Sequence, residues 1–232
     1  MIINRSVGFA FIHIPKSAGT SVTRYLAPLN GPFDLEIGGT EFGEEIQRAY
    51  ARRHGLRKHS TLAEAQAAID MARPAAGDMF TFSFVRNPYA RLASIFAFLR
   101  RWEGYNPELR RMMISFADFP DFVASGLFTR LPGPDGMFRP QCDWLKLGGH
   151  LAEGLHWFRI EEVETATATI RQELARRGAD TTALPDRFPH ANRSDSPDPA
   201  RLGLDPDLLA RINAHYAEDF RTFGYPVTGA GP

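Results

Sequence analysis

Residues 11 to 21 read Phe11-Ile12-His13-Ile14-Pro15-Lys16-Ser17-Ala18-Gly19-Thr20-Ser21, and the reading of the whole chain turns on them. Phe9, Phe11, Ile12 and Ile14 suit a buried strand. Ser17, Ala18, Gly19, Thr20 and Ser21 leave no bulk around Lys16 and read as a tight turn. A helix over Thr20 to Leu26 is expected next. A strand, a small-residue turn and a helix start together present backbone N–H groups and a positive helix end to an anion, and phosphate is the natural guest. The loop is not the common phosphate motif G-x-x-x-x-G-K-[ST], in which the lysine stands at the helix start. Here Lys16 precedes the glycine of the loop by three positions, which argues against a generic ATPase or kinase.

A second stretch, Met79 to Leu99, repeats the pattern. Phe80, Phe82, Phe84 and Val85 make another strand, and Arg86-Asn87-Pro88 ends it. Pro88 suits the first turn of a helix that begins after Asn87. Ser94 follows Arg86 at about two turns along such a helix, at ~3.6 residues per turn. Arg91 and Ser94 are spaced to share a face.

Elsewhere helical composition covers Glu41 to Arg53 and Thr61 to Met71, with Ser60 or Thr61 and Glu64 forming a capping box. A short helix is expected over Phe116 to Ala124, a strand over Leu155 to Ile160, a helix from Glu161 to about Arg177, and a last helix over Asp205 to Phe220. Residues 31–40, 102–115 and 126–140 read as irregular. Strands separated by helices imply an α/β fold with a mainly parallel sheet flanked by helices, in which ligands bind beyond the carboxyl ends of the strands. Neither a repeat nor a linker divides the chain, so residues 1–232 are expected to form a single domain.

The composition narrows the function classes. With 27 basic against 27 acidic residues there is no basic excess for a nucleic-acid partner. No run reaches the ~18 apolar residues needed to span a bilayer, and the first strand is expected to begin near Val7. That pattern fits a cytoplasmic protein without membrane insertion. One cysteine, Cys142, and scattered histidines offer no metal-ligand spacing.

The two stretches together resemble the nucleotide-binding signature of sulfotransferases that use 3′-phosphoadenosine 5′-phosphosulfate (PAPS). Pro15-Lys16-Ser17-Ala18-Gly19-Thr20-Ser21 resembles the family's loop for the 5′-phosphosulfate. Arg86-Asn87-Pro88-Tyr89 through Ser94 resembles its 3′-phosphate element, in which an arginine and a downstream serine hold the phosphate that distinguishes PAPS from ADP. The resemblance is to the carbohydrate branch, including the glycosaminoglycan 2-O enzymes and small bacterial relatives. Looser likeness runs through Lys58-His59-Ser60, Gln141 to Leu145, Arg159-Ile160-Glu161 and Pro189 to Arg193. It implies a P-loop-like sulfotransferase fold and in-line transfer of a sulfuryl group from PAPS to a hydroxyl of a carbohydrate-type acceptor, with no metal.

Under that resemblance Lys16 and His59 are the catalytic candidates. Lys16 would steady the leaving phosphate, with Gly19, Thr20 and Ser21 around it, while Arg86 and Ser94 would take the 3′-phosphate. An acceptor hydroxyl benefits from a general base, and histidine suits that role near neutral pH. His59 lies between the two phosphate elements, where relatives place their base; His190 is the rival. His13 alternates with Ile12 and Ile14 and reads as structural. Asn192 and Arg193 resemble a late segment that closes over the nucleotide. Trp102, Tyr105, Phe128 and Trp144 are candidates to stack on sugar rings. Two other classes remain open on sequence: a nucleotide or small-molecule kinase, and a catalytically silent relative that binds a nucleotide or glycan.

Overall fold

The structure, a computed structural model, describes residues 1–72, 78–102, 107–188 and 202–229. In chain order the elements are β1 (Ile2–Asn4), β2 (Phe9–Ile12), α1 (Gly19–Leu26), β3 (Leu35–Glu36), α2 (Glu41–His54), α3 (Leu62–Ala72), β4 (Phe80–Val85), α4 (Pro88–Arg101), α5 (Pro107–Ser115), α6 (Phe119–Ser125), α7 (Leu127–Arg130), β5 (Lys146–Leu147), β6 (His150–Leu151), β7 (His156–Arg159), α8 (Val163–Arg176), α9 (Pro206–His215) and α10 (Ala217–Phe223). They gather into two compact units, Met1–Val85 with Gln141–Arg193, and Arg86–Pro140 with Ser194–Pro232.

The first unit carries a five-stranded sheet in the order β3-β1-β2-β4-β7. β2 and β7 both pair with β4 in parallel, whereas β1 pairs with β2 and with β3 antiparallel. The sheet is therefore mixed, not mainly parallel as the sequence suggests. The reason lies before and after the first recognisable strand. Gly8, at φ 86°, closes a tight return from Asn4 in which the Gly8 N–H donates to the Asn4 carbonyl and the Val7 N–H to Asn4 Oδ1 at 2.7 Å. A return that short permits only an antiparallel partner. β3 then adds two residues inside the segment that reads as irregular.

Alternation along the strands builds the core. Phe9 and Phe11 of β2 and Phe80, Phe82 and Phe84 of β4 are buried with Val22, Tyr25 and Leu26 of α1 and Ala166, Ile170 and Leu174 of α8. α3 packs against β1 and β5. Its start is the capping box expected, with Thr61 as the cap: the Thr61 N–H donates to Glu64 Oε2 and the Glu64 N–H to Thr61 Oγ1.

The second unit is helical. Phe96, Phe119, Phe128 and Phe138 ring Phe122 at centroid distances of 5.2 to 6.2 Å, and Tyr216 stacks on Phe128. Three segments depart from expectation here. Residues 107–115 are helical as α5, and the loop over 126–140 contains α7, which starts from Gly126 at φ 64°. The last helix is two helices that break at Tyr216, whose hydroxyl donates to the Phe138 carbonyl at 2.9 Å.

Candidate active site

The loop around Lys16 occupies the link from β2 to α1. Lys16 and Ala18, flanking Ser17, both adopt left-handed backbone, at φ 65° and 58°. Such conformations are costly for residues with a Cβ and cluster where function needs them. Ala18 stands at the N-cap of α1 but supplies no side-chain cap. By contrast, Thr40 caps α2, and Asn87 caps α4 by accepting from the Tyr89 and Ala90 N–H groups. The α1 start thus joins a kinked loop to a helix end that no side chain caps, an arrangement suited to an anion. Pro15 and Ser17 are buried, Lys16 and Thr20 half-buried, and Ser21 buried. The Ser17 hydroxyl points inward and donates to Gln141 Oε1 at 3.1 Å.

His59 is held in the same unit. It sits in a turn that Ser60 closes by accepting from the Arg57 N–H. His59 Nδ1 lies 2.8 Å from the His13 carbonyl oxygen. A carbonyl only accepts, so Nδ1 carries the proton and Nε2 of the neutral ring keeps its lone pair, the form a general base requires. Burial pulls the pKa of His59 down to about 3; the bond to His13 opposes this and the Lys58 ammonium adds to it. The ring is neutral across the physiological range. Trp144 Nε1–H donates to the His59 carbonyl at 3.2 Å, so the turn Gln141–Trp144 grips both the Lys16 loop and the His59 turn.

Arg86 and Ser94 belong to the second unit. Arg86 follows the last residue of β4 and is 6% exposed, and Ser94 is half-buried on α4. Arg91 turns inward instead of sharing Ser94's setting: it is 1% exposed, and its guanidinium donates to the Met137 and Arg139 carbonyls.

The sequence pattern of the sulfotransferase family matches residues 1–226. The chain belongs to the sulfotransferase family. Neither the curated proteins nor the solved structures yield a match. In this sulfotransferase the match spans the Lys16 loop, His59 and the stretch from Arg86 to Ser94.

Not every residue singled out on sequence falls within reach. Asn192 and Arg193, with the rival base His190, lie outside the described residues, as does Tyr105. Phe128 and Trp144 are each 1% exposed and are core packing, not platforms for a sugar. Trp102 lies against Phe98, with ring centroids 4.9 Å apart. Among the described residues no group of three His, Cys, Asp or Glu is placed to hold a metal ion, and no helix is long and apolar enough to cross a membrane. Sequence reading missed the tie between Gln141 and Ser17, the tie between Trp144 and His59, and the packing of His13 against His59 and Gly19. The only signal for the first two was the loose likeness of residues 141–145 to relatives, which carries no partner information.

Proposed function

We propose that this sulfotransferase transfers a sulfuryl group from PAPS to a hydroxyl of a carbohydrate-type acceptor, and that residues 1–232 work as one sulfotransferase domain. The observation that carries the reading is the Lys16 loop, where two left-handed residues run into a helix start that no side chain caps. These residues fit a phosphate: N–H groups of α1, the Thr20 and Ser21 hydroxyls, and the Lys16 ammonium. Arg86 and Ser94 are given the 3′-phosphate because Arg86-Asn87-Pro88-Tyr89 through Ser94 resembles the family's 3′-phosphate element. When bound, PAPS supplies the sulfuryl group and a phosphate leaving group.

The protein's part is placement and charge. Lys16 stabilises the negative charge that grows on the leaving phosphate oxygen. His59, its Nδ1–H fixed on the His13 carbonyl, takes the acceptor's hydroxyl proton at Nε2 as the new S–O bond forms. The nucleotide's own negative charge raises the basicity of His59 toward the working pH.

Thermal melting of the purified protein with adenosine 3′,5′-bisphosphate, ADP and ATP–magnesium tests the reading. At 100 times its dissociation constant a ligand adds about 2.7 kcal/mol. Stabilisation by the 3′,5′-bisphosphate well above that by ADP is expected. A response to ATP–magnesium alone would favour a kinase, and binding of the bisphosphate without transfer to any acceptor would favour a silent relative.

A further inference from the structure

His13 reads as a core residue on sequence, yet it touches both halves of the candidate chemistry. Its carbonyl accepts from His59 Nδ1 at 2.8 Å. Its ring meets the His59 ring nearly edge to face, with centroids 4.5 Å apart and planes at 74°. On another side Phe11 stacks at 5.7 Å. At the start of α1 the His13 ring fills the space that a side chain at residue 19 would need: a Cβ there would lie 1.8 Å from Cδ2 and from Nε2. Gly19 is therefore required by His13 and not by its own backbone, which is not left-handed.

Packing alone does not account for an imidazole here. His13 is 3% exposed, and its Nδ1 is buried with no hydrogen-bond partner among the described residues. A buried polar atom without a partner carries a cost that an apolar ring would avoid. Burial first, then His59, Lys58 and Lys16, hold the group uncharged. It therefore acts through its shape and place, not by moving a proton.

We propose that His13 is a positioning residue: wedged between Gly19 of the anion loop and the His59 ring, its imidazole fixes the plane of His59 so that Nδ1 stays protonated on the His13 carbonyl and Nε2 faces outward as the base. This rests on the reading of His59 as base, but the test below needs no acceptor and no turnover.

Long-range 15N–1H spectra of the imidazoles in the 232-residue chain, with His59 assigned by the H59Q variant, report the tautomer directly. Wild type is expected to show His59 protonated at Nδ1 alone. In H13A the Nδ1–H to Nε2–H ratio is expected to fall about 3- to 10-fold, the size of one edge-to-face ring contact. Binding of adenosine 3′,5′-bisphosphate should change less than about threefold, since H13A leaves the loop's backbone donors and Lys16 in place. H13N, which retains a polar group, gives a second variant should H13A fail to fold, with the same fall expected. A wild-type spectrum with the proton on Nε2, or an unchanged ratio in both variants, overturns the proposal. If H59Q transfers sulfate as well as wild type, the base reading falls instead, and the tautomer result is unaffected.

Discussion

The Ser17 hydroxyl donates to Gln141 Oε1 at 3.1 Å, joining residues 124 positions apart in the chain. Both residues are buried, at 1% and 0% exposure. The Lys16 loop is therefore tied to a side chain of a distant turn through the residue that its two left-handed positions flank.

Replacing Gln141 by leucine should expose the worth of this tie. The Ser17 hydroxyl would lose its acceptor in a buried place, a change that costs about 1–3 kcal/mol. The melting temperature should fall, and affinity for adenosine 3′,5′-bisphosphate should fall with it. Adding Ser17→Ala to Gln141→Leu should recover part of the stability, so the double-mutant cycle should be non-additive. Strict additivity would show that the two side chains are not coupled.

Lys16→Ala separates two roles for the ammonium. A group that stabilises charge growing on the leaving phosphate contributes mainly in the transition state. Turnover should then drop by on the order of 100-fold or more, while affinity for PAPS, in which that charge has not yet formed, changes little. Calorimetry alongside steady-state rates with PAPS gives the comparison. Equal losses in both would make Lys16 a ground-state phosphate anchor.

Acid stability follows from the buried histidines. The folded-state pKa of His59, about 3, lies below its ordinary value of 6.5, and that of His13 lies well below the same value. Between those limits the unfolded chain binds protons that the folded protein does not, so stability rises with pH. The contribution is fully present above about pH 6.5 and is lost progressively as pH falls toward about 3. Melting temperatures between pH 7 and pH 4 should decline, and His59→Gln should flatten that decline. An unchanged slope in the variant would mean that His59 titrates normally in the folded protein.

Arg86 and Arg91 stand five residues apart in sequence and should fail in opposite ways. Arg91→Ala would strip the Met137 carbonyl, which is buried, and the Arg139 carbonyl of a charged donor. The loss should be on the order of 3 kcal/mol in chemical denaturation. Arg86→Ala should cost less stability and should abolish the preference for adenosine 3′,5′-bisphosphate over ADP. Loss of that preference in Arg91→Ala, at temperatures where the variant is folded, would move the 3′-phosphate assignment.

The parts of this fold legible in the sequence are those whose signals are local. β2 and β4 announce themselves by apolar alternation, α4 by the Asn87-Pro88 start, and α3 by Thr61 and Glu64. β1 and β3, of three and two residues, carry too few positions for any period to show. The Tyr216 break is invisible for a different reason. The helical period of Leu208, Leu209, Ile212, Tyr216 and Phe220 runs straight through it, while the Tyr216 hydroxyl answers to Phe138, 78 residues away.

The same division holds at the candidate site. The residue types and order alone determined a strand, turn and helix start around Lys16, a strand end and helix start at Arg86 to Pro88, and a histidine between them in the chain, because backbone turns, helix starts and side-chain chemistry are encoded over a few neighbouring positions. Only the tertiary structure decided that His13 packs against both Gly19 and His59, that Gln141 and Trp144 tie down the Lys16 loop and the His59 turn, and that the sheet is mixed. Those relationships join residues 46, 85 and 124 positions apart. They are set by which buried surfaces and buried polar groups satisfy one another on folding, and no local pattern records that choice.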